Sequence, residues 1–310
     1  MTSGSPFISV IIASANQGHR LGEAIASVWR STRRDVEIVV VDEGSTDDTA
    51  TVAKSFGGVT YVSLRGRGRA KARNRGLADS RGPAVVFLDA DAQLAPGALD
   101  VGAAELDAHP LAAFVFGRCR SPEGNGSAPG RRERPRLDRD YYRELLTRNY
   151  IGRTCAVMFR RTALERAGGF DASVEAAADY GLYLRIARMN RIHDHGQLVA
   201  VAPESHHAGY GPAGTLQDTL TVLRRERPLI EADPWLFEAY QEGWRHARDF
   251  YGARIAGELH AHLQAHEWIG AVRSTLQLGW LHPRAIGQHG ARRLAASVHG
   301  LVPRSRRIQS

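Results

Sequence analysis

The sequence predicts an α/β fold, in which a mostly parallel sheet is flanked by helices and followed by a helical C-terminal region. Short β-branched apolar runs alternate with segments of helical periodicity over roughly the first 118 residues. Such alternation is typical of a parallel sheet covered on both faces. The runs are continuously apolar, as expected of strands that are buried on both sides. From Thr215 onward the pattern is almost wholly helical.

Each predicted strand is an apolar run that stops at polar or turn-forming residues. The runs cover residues 7–13, 36–41, 59–64, 84–88, 112–116, 154–159 and 198–202. Helices are predicted to begin near residues 21, 46, 70, 96, 141, 161, 177 and 215, and further helices cover 235–278 and 284–298. The pattern divides the chain into an α/β domain, residues 6–215, and a helical region, residues 216–310.

The composition is that of a globular protein with an excess of positive charge. Hydrophobic residues make up 43% and charged residues 24% of the 310 residues, which excludes a disordered, collagenous or coiled-coil chain. The net charge is +8 and comes from arginine, since lysine occurs only at Lys54 and Lys71. This bias reflects either a GC-rich genome or an anionic partner, such as nucleotide phosphates, nucleic acid or a membrane surface.

The expected location is the cytoplasm, with peripheral membrane contact as a variant. No run approaches the ~18 apolar residues of a membrane span, and the N-terminus lacks the basic region of a signal peptide. Two cysteines, Cys119 and Cys155, are too few for a disulfide framework or a cysteine zinc site.

Polar residues follow three of the predicted strands. Asn16, Asp42 and Asp89 lie at or just beyond strand ends, and the carboxyl ends of parallel strands meet at one edge of a sheet, where ligands bind. Asp89 and Asp91 are one residue apart, so the pair can hold a hard divalent cation together with water and a diphosphate. The competing interpretation is an acidic turn that follows a strand.

The other acidic strand end and the basic run that follows it have two interpretations each. Asp42 could bind a base or a ribose hydroxyl, while Ser45 and Asp47 have the chemistry of a helix N-cap. Six cations lie between residues 65 and 75. One interpretation is a basic face exposed to solvent. A helix cannot turn all six outward, however, so Arg73 is expected to point at the crevice.

Asp179 and the pair His206-His207 complete the candidate residues. Asp179 begins a predicted helix, and from the residues alone a capping role is favoured for it. Adjacent histidines in extended backbone point to opposite sides, so at most one of His206 and His207 is expected to ligate a metal.

These segments, in this order, resemble the family 2 glycosyltransferases with the GT-A fold, over residues 8–207. The matching segments are SVIIASAN (9–16), VVDEGSTD (40–47), ARNRGLA (72–78), FLDAD (87–91), GGFD (168–171) and ADYGLYLR (178–185). The resemblance implies an inverting transfer of a sugar from a nucleoside diphosphate sugar, with a UDP-sugar as the default donor.

The resemblance also implies roles on the nucleotide side of the site. Asp42 reads the base of the nucleotide and Asn16 borders its pocket. Arg73 braces the nucleotide, and Asp89 contacts the ribose or a metal-bound water.

On the metal and acceptor side, the resemblance makes Asp91 a ligand of Mn²⁺ or Mg²⁺ and Asp179 the catalytic base. His207 aligns with a family histidine that touches the metal or the diphosphate. Ala178 and Gly181 depart from the family pattern, which has acidic residues at both positions. These departures bear on the orientation of the base and on the acceptor that it serves.

Two other functions remain alternatives at this stage. One is a non-catalytic basic module that binds nucleic acid or an anionic surface, although the aromatics of RNA-binding modules are absent from the basic runs. The other is a sugar nucleotidyltransferase, which should carry a Gly-rich triphosphate loop where residues 16–19 read NQGH. The acceptor is not indicated: a glycan, a lipid-linked sugar, a peptide and a small molecule all remain open. For the C-terminal helices we expect packing on the catalytic domain first, a homodimer contact second and membrane contact third.

Overall fold

One mixed sheet forms the centre of the molecule. The computed structural model describes residues 7–66, 68–122, 140–203 and 210–281, and eight strands are found in them. They are β1 (Ile8–Ser14), β2 (Val36–Asp42), β3 (Val59–Ser63), β4 (Ala84–Asp89), β5 (Gln93–Leu94), β6 (Ala112–Arg120), β7 (Val157–Arg160) and β8 (Arg191–Val201). Their order is β3-β2-β1-β4-β7-β6-β8-β5. β5 and β7 run antiparallel to their neighbours, and the other pairs are parallel.

Ten helices in the described residues surround and extend this sheet. They are α1 (Gly18–Trp29), α2 (Thr49–Ser55), α3 (Arg69–Asp79), α4 (Ala98–Ala108), α5 (Tyr141–Thr147), α6 (Arg161–Arg166), α7 (Ala178–Ala187), α8 (Gly211–Ile230), α9 (Pro234–Gln264) and α10 (Trp268–Leu281). The predicted α/β alternation and helical C-terminal region are confirmed. The helix predicted over 284–298 lies outside the described residues.

Strand β8 differs most from the prediction. Residues 198–202 were expected to form a short strand, but the strand runs over Arg191–Val201. Its first half reads RIHDHG, and this polar sequence lacks the apolar run on which the prediction depends. Pairing with β6 explains the longer strand, since His193 and Asp194 lie opposite Val115 and Phe116.

The two faces of the sheet have separate cores. Along β1, Ile11 and Ala13 face one core while Val10 and Ile12 face the other, as the two-residue period of a strand requires. The first core is covered by helices that include α3, α5 and α7, and the second by helices that include α1 and α4. Both faces of the central strands are therefore buried, which explains their continuous apolar sequence.

The C-terminal helices pack on one another through a third apolar cluster, which includes Leu216, Ile255 and Leu278. Helix α9 also packs directly on α5, and Ala239 and Tyr240 of α9 belong to the first core. The helical region is thus continuous with the sheet domain. Among the described residues, no helix is both long enough and apolar enough to cross a membrane.

A side-chain bridge joins α3 to the turn at Gly168–Asp171. Asn74 Nδ2 donates to the carbonyl oxygen of Phe170 at 2.7 Å, and the amide of Phe170 donates to Asn74 Oδ1 at 2.8 Å. Gly169 has φ of +68°, and a Cβ there would lie 2.5 Å from Asn74 Oδ1. Only glycine satisfies both constraints without strain.

We expect Asn74→Ala to lower the free energy of unfolding by about 1–3 kcal/mol, because two partners lose their hydrogen bonds inside the structure. Chemical denaturation measures this change. Arg75→Ala is the matched control on the same helix, since it removes an exposed ion pair with Asp79 that is worth at most about 1 kcal/mol. Equal losses in the two variants would contradict the bridging role of Asn74.

Candidate active site

The predicted polar strand ends meet at one edge of the sheet. β1 lies between β2 and β4, and their register sets Ser14 opposite Asp42 and Ala13 opposite Asp89. The two aspartates therefore flank the end of β1, as the sequence predicts.

Asp42 is buried at this edge, and both of its carboxylate oxygens accept hydrogen bonds. It is 2% exposed. Oδ1 accepts a hydrogen bond from the amide of Ser45 at 2.8 Å, and Oδ2 accepts one from the hydroxyl of Tyr61 at 2.8 Å. Burial and the neighbouring Asp42 raise the pKa of Tyr61, so the phenol remains a donor. Asp42 thus fixes the loop that follows β2.

Asn16 connects that loop to the one after β1. Its φ is +53°, a left-handed conformation that asparagine tolerates. Its amide donates to Ser45 Oγ at 2.8 Å, and its Oδ1 accepts from the amide of Thr46 at 2.8 Å. The expected cap is therefore corrected in part. Ser45 binds Asn16 rather than α2, while Asp47 does accept a hydrogen bond from the amide of Thr49, the first residue of α2.

Asp89 is held ionised by two arginines of α3. Arg73 Nη2 lies 2.9 Å from Asp89 Oδ1, and Arg69 Nη1 lies 3.9 Å from Oδ2. Burial alone would raise the pKa of Asp89, but the charges of Arg73 and Arg69 and the hydrogen bond from Arg73 outweigh it and lower the pKa to about 2. The carboxylate is therefore charged at every physiological pH.

Arg73 is the expected inward arginine, and the structure holds it rigidly. Its side chain is 7% exposed, and its guanidinium carbon lies 5.2 Å from the centre of the Phe170 ring. Phe170 in turn packs edge-on against Phe87, with ring centres 4.8 Å apart. Nε of Arg73 is buried without a hydrogen-bond partner among the described residues.

Asp91 has a different electrostatic environment from Asp89. Burial, followed by the charge of Asp89, raises the pKa of Asp91, although nearby arginines oppose the shift. Its Oδ2 lies 4.0 Å from Nη1 of the half-exposed Arg20. A bound cation would relieve both unfavourable contributions, and carboxylate oxygen is the donor that Mg²⁺ and Mn²⁺ prefer. Asp91 therefore suits the predicted metal, while His207, the second expected ligand, lies outside the described residues.

Asp179 and Asp89 both line one cleft at this edge of the sheet. The residues lining the cleft are Arg69, Arg73, Asp89, Arg153, Thr154, Glu175, Ala176 and Asp179. Asp179 lies in the first turn of α7, where a carboxylate is favoured by the helix dipole. The N-cap itself is Ala177, which makes no side-chain cap bond. The Oδ1 atom of Asp179 accepts a hydrogen bond from the amide of Tyr180 at 2.7 Å, so the predicted capping role is reduced to this first-turn contact.

Two glutamates hold the beginning of α3 beside this cleft. Glu43 Oε2 accepts from the amide of Gly68 at 2.9 Å, and Glu175 Oε1 accepts from the amide of Ala70 at 2.7 Å. Free amides at a helix N-terminus bind carboxylates well. Burial raises the pKa of Glu43. The two contacts position α3 and its arginines over Asp89.

Three charged residues of the cleft were not predicted from the sequence. Arg69 belongs to the basic run, in which only Arg73 was singled out. Glu175 precedes Asp179 by four residues. This spacing, about one helical turn, could have predicted that the two acids lie in the same site. Arg153 has no local signal, because its place depends on β7 returning antiparallel between β4 and β6.

The two departures from the family pattern lie in packed positions. Ala178 is 2% exposed. A Cβ on Gly181 would lie 3.3 Å from a methyl group of Val222 and 3.4 Å from Nη1 of Arg185. Helix α8 therefore occupies the space that an acidic side chain at position 181 would need.

The comparison with family models identifies the chain. A model described as "Glycosyl transferase family 2" matches residues 9–168, which is just over half of the sequence. The chain belongs to this family. The resemblance found from the sequence motifs is therefore confirmed.

Two curated relatives each match more than half of this chain. An uncharacterized Mycobacterium tuberculosis protein is 29% identical over 198 residues, covering 58% of this chain and 62% of that protein. The chondroitin synthase of Escherichia coli is 27% identical over 188 residues, covering 59% of this chain and 27% of the synthase. The chain thus spans less than two thirds of the length of either relative.

Solved structures share the GT-A fold of this chain. Staphylococcus aureus TarS 1-349 in complex with UDP-GlcNAc superposes with a TM-score of 0.57 at 16% identity, covering 88% of this chain and 91% of that one. Pyrobaculum calidifontis mannosyltransferase PcManGT in complex with GDP-Man and Mn²⁺ gives 0.56 at 22% identity, covering 90% and 88%. The GT-A prediction is confirmed.

We expect Arg73→Met to lower the free energy of unfolding at pH 7 by about 1–3 kcal/mol, below the cost of breaking a fully buried pair, because Asp89 is 22% exposed. The pKa of Asp89 is lowered from 3.8 to about 2 in the folded protein, so its stabilisation is present above pH 4 and is lost as the pH falls toward 2. The difference between the variant and the parent should shrink over that same range in denaturation at stepped pH.

Arg69→Met is the matched control for this effect. Its guanidinium is 29% exposed and lies 3.9 Å from Asp89, so its loss should be smaller. A pH-independent difference would show that Arg73 contributes by packing alone, and an equal loss in the two variants would show that Arg73 is not the principal partner of Asp89.

Proposed function

We propose that the glycosyltransferase moves a sugar from a nucleoside diphosphate sugar to an acceptor hydroxyl with inversion at the anomeric carbon. The observation that carries the proposal is the cleft itself, with Asp179 on one side and the arginine-held Asp89 on the other. Asp91 follows at the end of the same strand. An inverting transfer needs a base for the acceptor and stabilisation of charge on the leaving group, and this cleft contains groups suited to both.

The donor side of the proposal rests on the β1, β2 and β4 ends. Asn16 and Asp42 hold the two loops that border the proposed nucleoside pocket, and Arg73, Arg69 and Arg153 supply positive charge for a diphosphate. UDP is the first candidate, in line with the UDP-GlcNAc complex of TarS. GDP is the second, because PcManGT has GDP-Man bound.

Asp91 is the proposed ligand of a divalent cation, Mn²⁺ or Mg²⁺, with His207 as a further ligand from the sequence motif. When bound, the cation acts as a Lewis acid toward the leaving diphosphate. Asp89 keeps its charge beside Arg73 and orients the ribose or a water. This division of roles agrees with the opposite pKa shifts of the two aspartates.

Asp179 is the proposed base. It accepts the proton of the acceptor hydroxyl as that oxygen forms its bond to the anomeric carbon. The bond from that carbon to the diphosphate oxygen breaks in the same step, so the configuration inverts and no covalent enzyme intermediate forms. The acceptor is expected on the Asp179 side of the cleft.

Family membership favours this function over both alternatives. A basic nucleic-acid module has no need for three carboxylates in one cleft. A nucleotidyltransferase requires a triphosphate loop, and residues 16–18 instead connect to the loop after β2 through Asn16 and Asp47. The domain boundary at residue 215, the homodimer and the peripheral membrane contact remain proposals for the C-terminal helices.

We expect Asp91→Ala to lose manganese-dependent binding of UDP while its fold is retained. Calorimetric titration of UDP with and without Mn²⁺ measures this, and a panel that includes GDP checks the nucleotide. Asp107→Ala, an exposed acid on α4, is the matched control and should bind as the parent does. If Mn²⁺ strengthened UDP binding equally in both variants, Asp91 would not be the ligand.

We expect Asp179→Asn to transfer sugar about 10²–10⁴ times more slowly, because asparagine has the same shape but cannot accept a proton. Nucleotide affinity should stay close to that of the parent. The assay is release of UDP from whichever UDP-sugar stabilises the parent most on heating, and Glu165→Gln on α6 is the control. Release at the parental rate would leave Asp179 as a helix cap.

A further inference from the structure

Two histidines and a glutamate meet on the face of the sheet that α4 covers. Glu105 lies on α4, His109 directly follows the end of that helix, and His193 lies on β8. One ligand atom from each residue lies within 4.8 Å of the others. All three side chains are partly buried, with exposed fractions of 24%, 39% and 23%. None of them belongs to the cleft described above.

The distances within this cluster are those of a metal site. His193 Nε2 lies 3.3 Å and His109 Nδ1 lies 3.5 Å from the same oxygen, Oε2 of Glu105. Ligand atoms about 2.0–2.1 Å from a tetrahedral zinc ion are separated from one another by about 3.4 Å. The two imidazole rings are stacked, with centres 3.5 Å apart, so one ring must turn before both nitrogens point at the same ion.

The cluster is separate from the proposed donor site. β8 is the third strand from β4 across the sheet, which corresponds to about 14 Å at the usual strand spacing. Through β6 and β7, His193 is level with Val86, three residues before Asp89. A cation bound here therefore cannot contact a diphosphate at Asp91.

The donor atoms select a different metal from that of the cleft. Two imidazole nitrogens and one carboxylate form a ligand set that zinc occupies with water in the fourth position. Mg²⁺ and Mn²⁺ favour sites rich in carboxylate and water oxygen. His109 Nδ1 also lies 3.0 Å from the carbonyl oxygen of Glu105, and it exchanges this contact for the metal.

We propose that Glu105, His109 and His193 bind one zinc ion, which fastens the end of α4 to β8. The ion joins a helix and a strand that come from parts of the chain more than 80 residues apart. An ion that binds the folded chain stabilises it by mass action, so zinc raises the melting temperature.

Competition with a chromophoric zinc chelator tests the site in the full-length protein. The parent should bind one zinc ion per chain with micromolar or tighter affinity. Loss of an outer contact of a bound metal costs about 10–100-fold in affinity, so loss of a ligand should cost at least about tenfold. Glu105→Gln and His193→Ala should both show this loss, and zinc should no longer raise their melting temperature.

Three controls separate this site from other zinc contacts. His260→Ala removes an exposed histidine of α9 and should bind zinc as the parent does. Asp91→Ala should also retain zinc, while Glu105→Gln should retain the manganese dependence of UDP binding. Because glutamine has the shape of glutamate, Glu105→Gln should remain folded without metal. Absence of saturable zinc binding in the parent, or unchanged affinity in both ligand variants, would overturn the proposal.

Discussion

The ion pair between Arg73 and Asp89 is the interaction on which the rest of the site depends. Asp89 ends a strand whose side chains lie between two apolar cores, and burial there opposes its charge. Arg73 reverses that balance at 2.9 Å. Its own position is fixed by the ring of Phe170, which Asn74 of the same helix holds by two hydrogen bonds. One helix thus provides both the charge and the support that keeps it aligned.

The same pair makes the two aspartates of the strand end chemically different. Asp89 has its pKa lowered to about 2, whereas burial and the charge of Asp89 raise the pKa of Asp91. Two carboxylates whose environments separate their pKa values commonly serve separate roles. Arg73 pairs with Asp89, so Asp91 is the aspartate that is available for the proposed divalent cation. A strand end with two equivalent acids would give neither a fixed anion nor a selective metal ligand.

The local sequence was sufficient to predict the central strands and the acids at their ends. The buried strands could be predicted because both of their faces are covered, and Asp42, Asp89 and Asp91 followed from where those strands stop. The length of β8 could not be predicted, because the pairing of its polar first half with β6 is a tertiary contact. Arg153 could not be predicted for the same reason, since it enters the cleft through the antiparallel strand β7.

The C-terminal helices take part in the site, although the family match ends at residue 168. Asp218 of α8 accepts a hydrogen bond from the amide of Ala176 at 2.9 Å, in the segment that leads into α7. Val222, one turn further along α8, packs where a Cβ on Gly181 would lie. Helix α8 therefore sets the position of the backbone that carries Asp179. The glycine at position 181 fits the closeness of α8, because a Cβ there would already lie 3.3 Å from Val222.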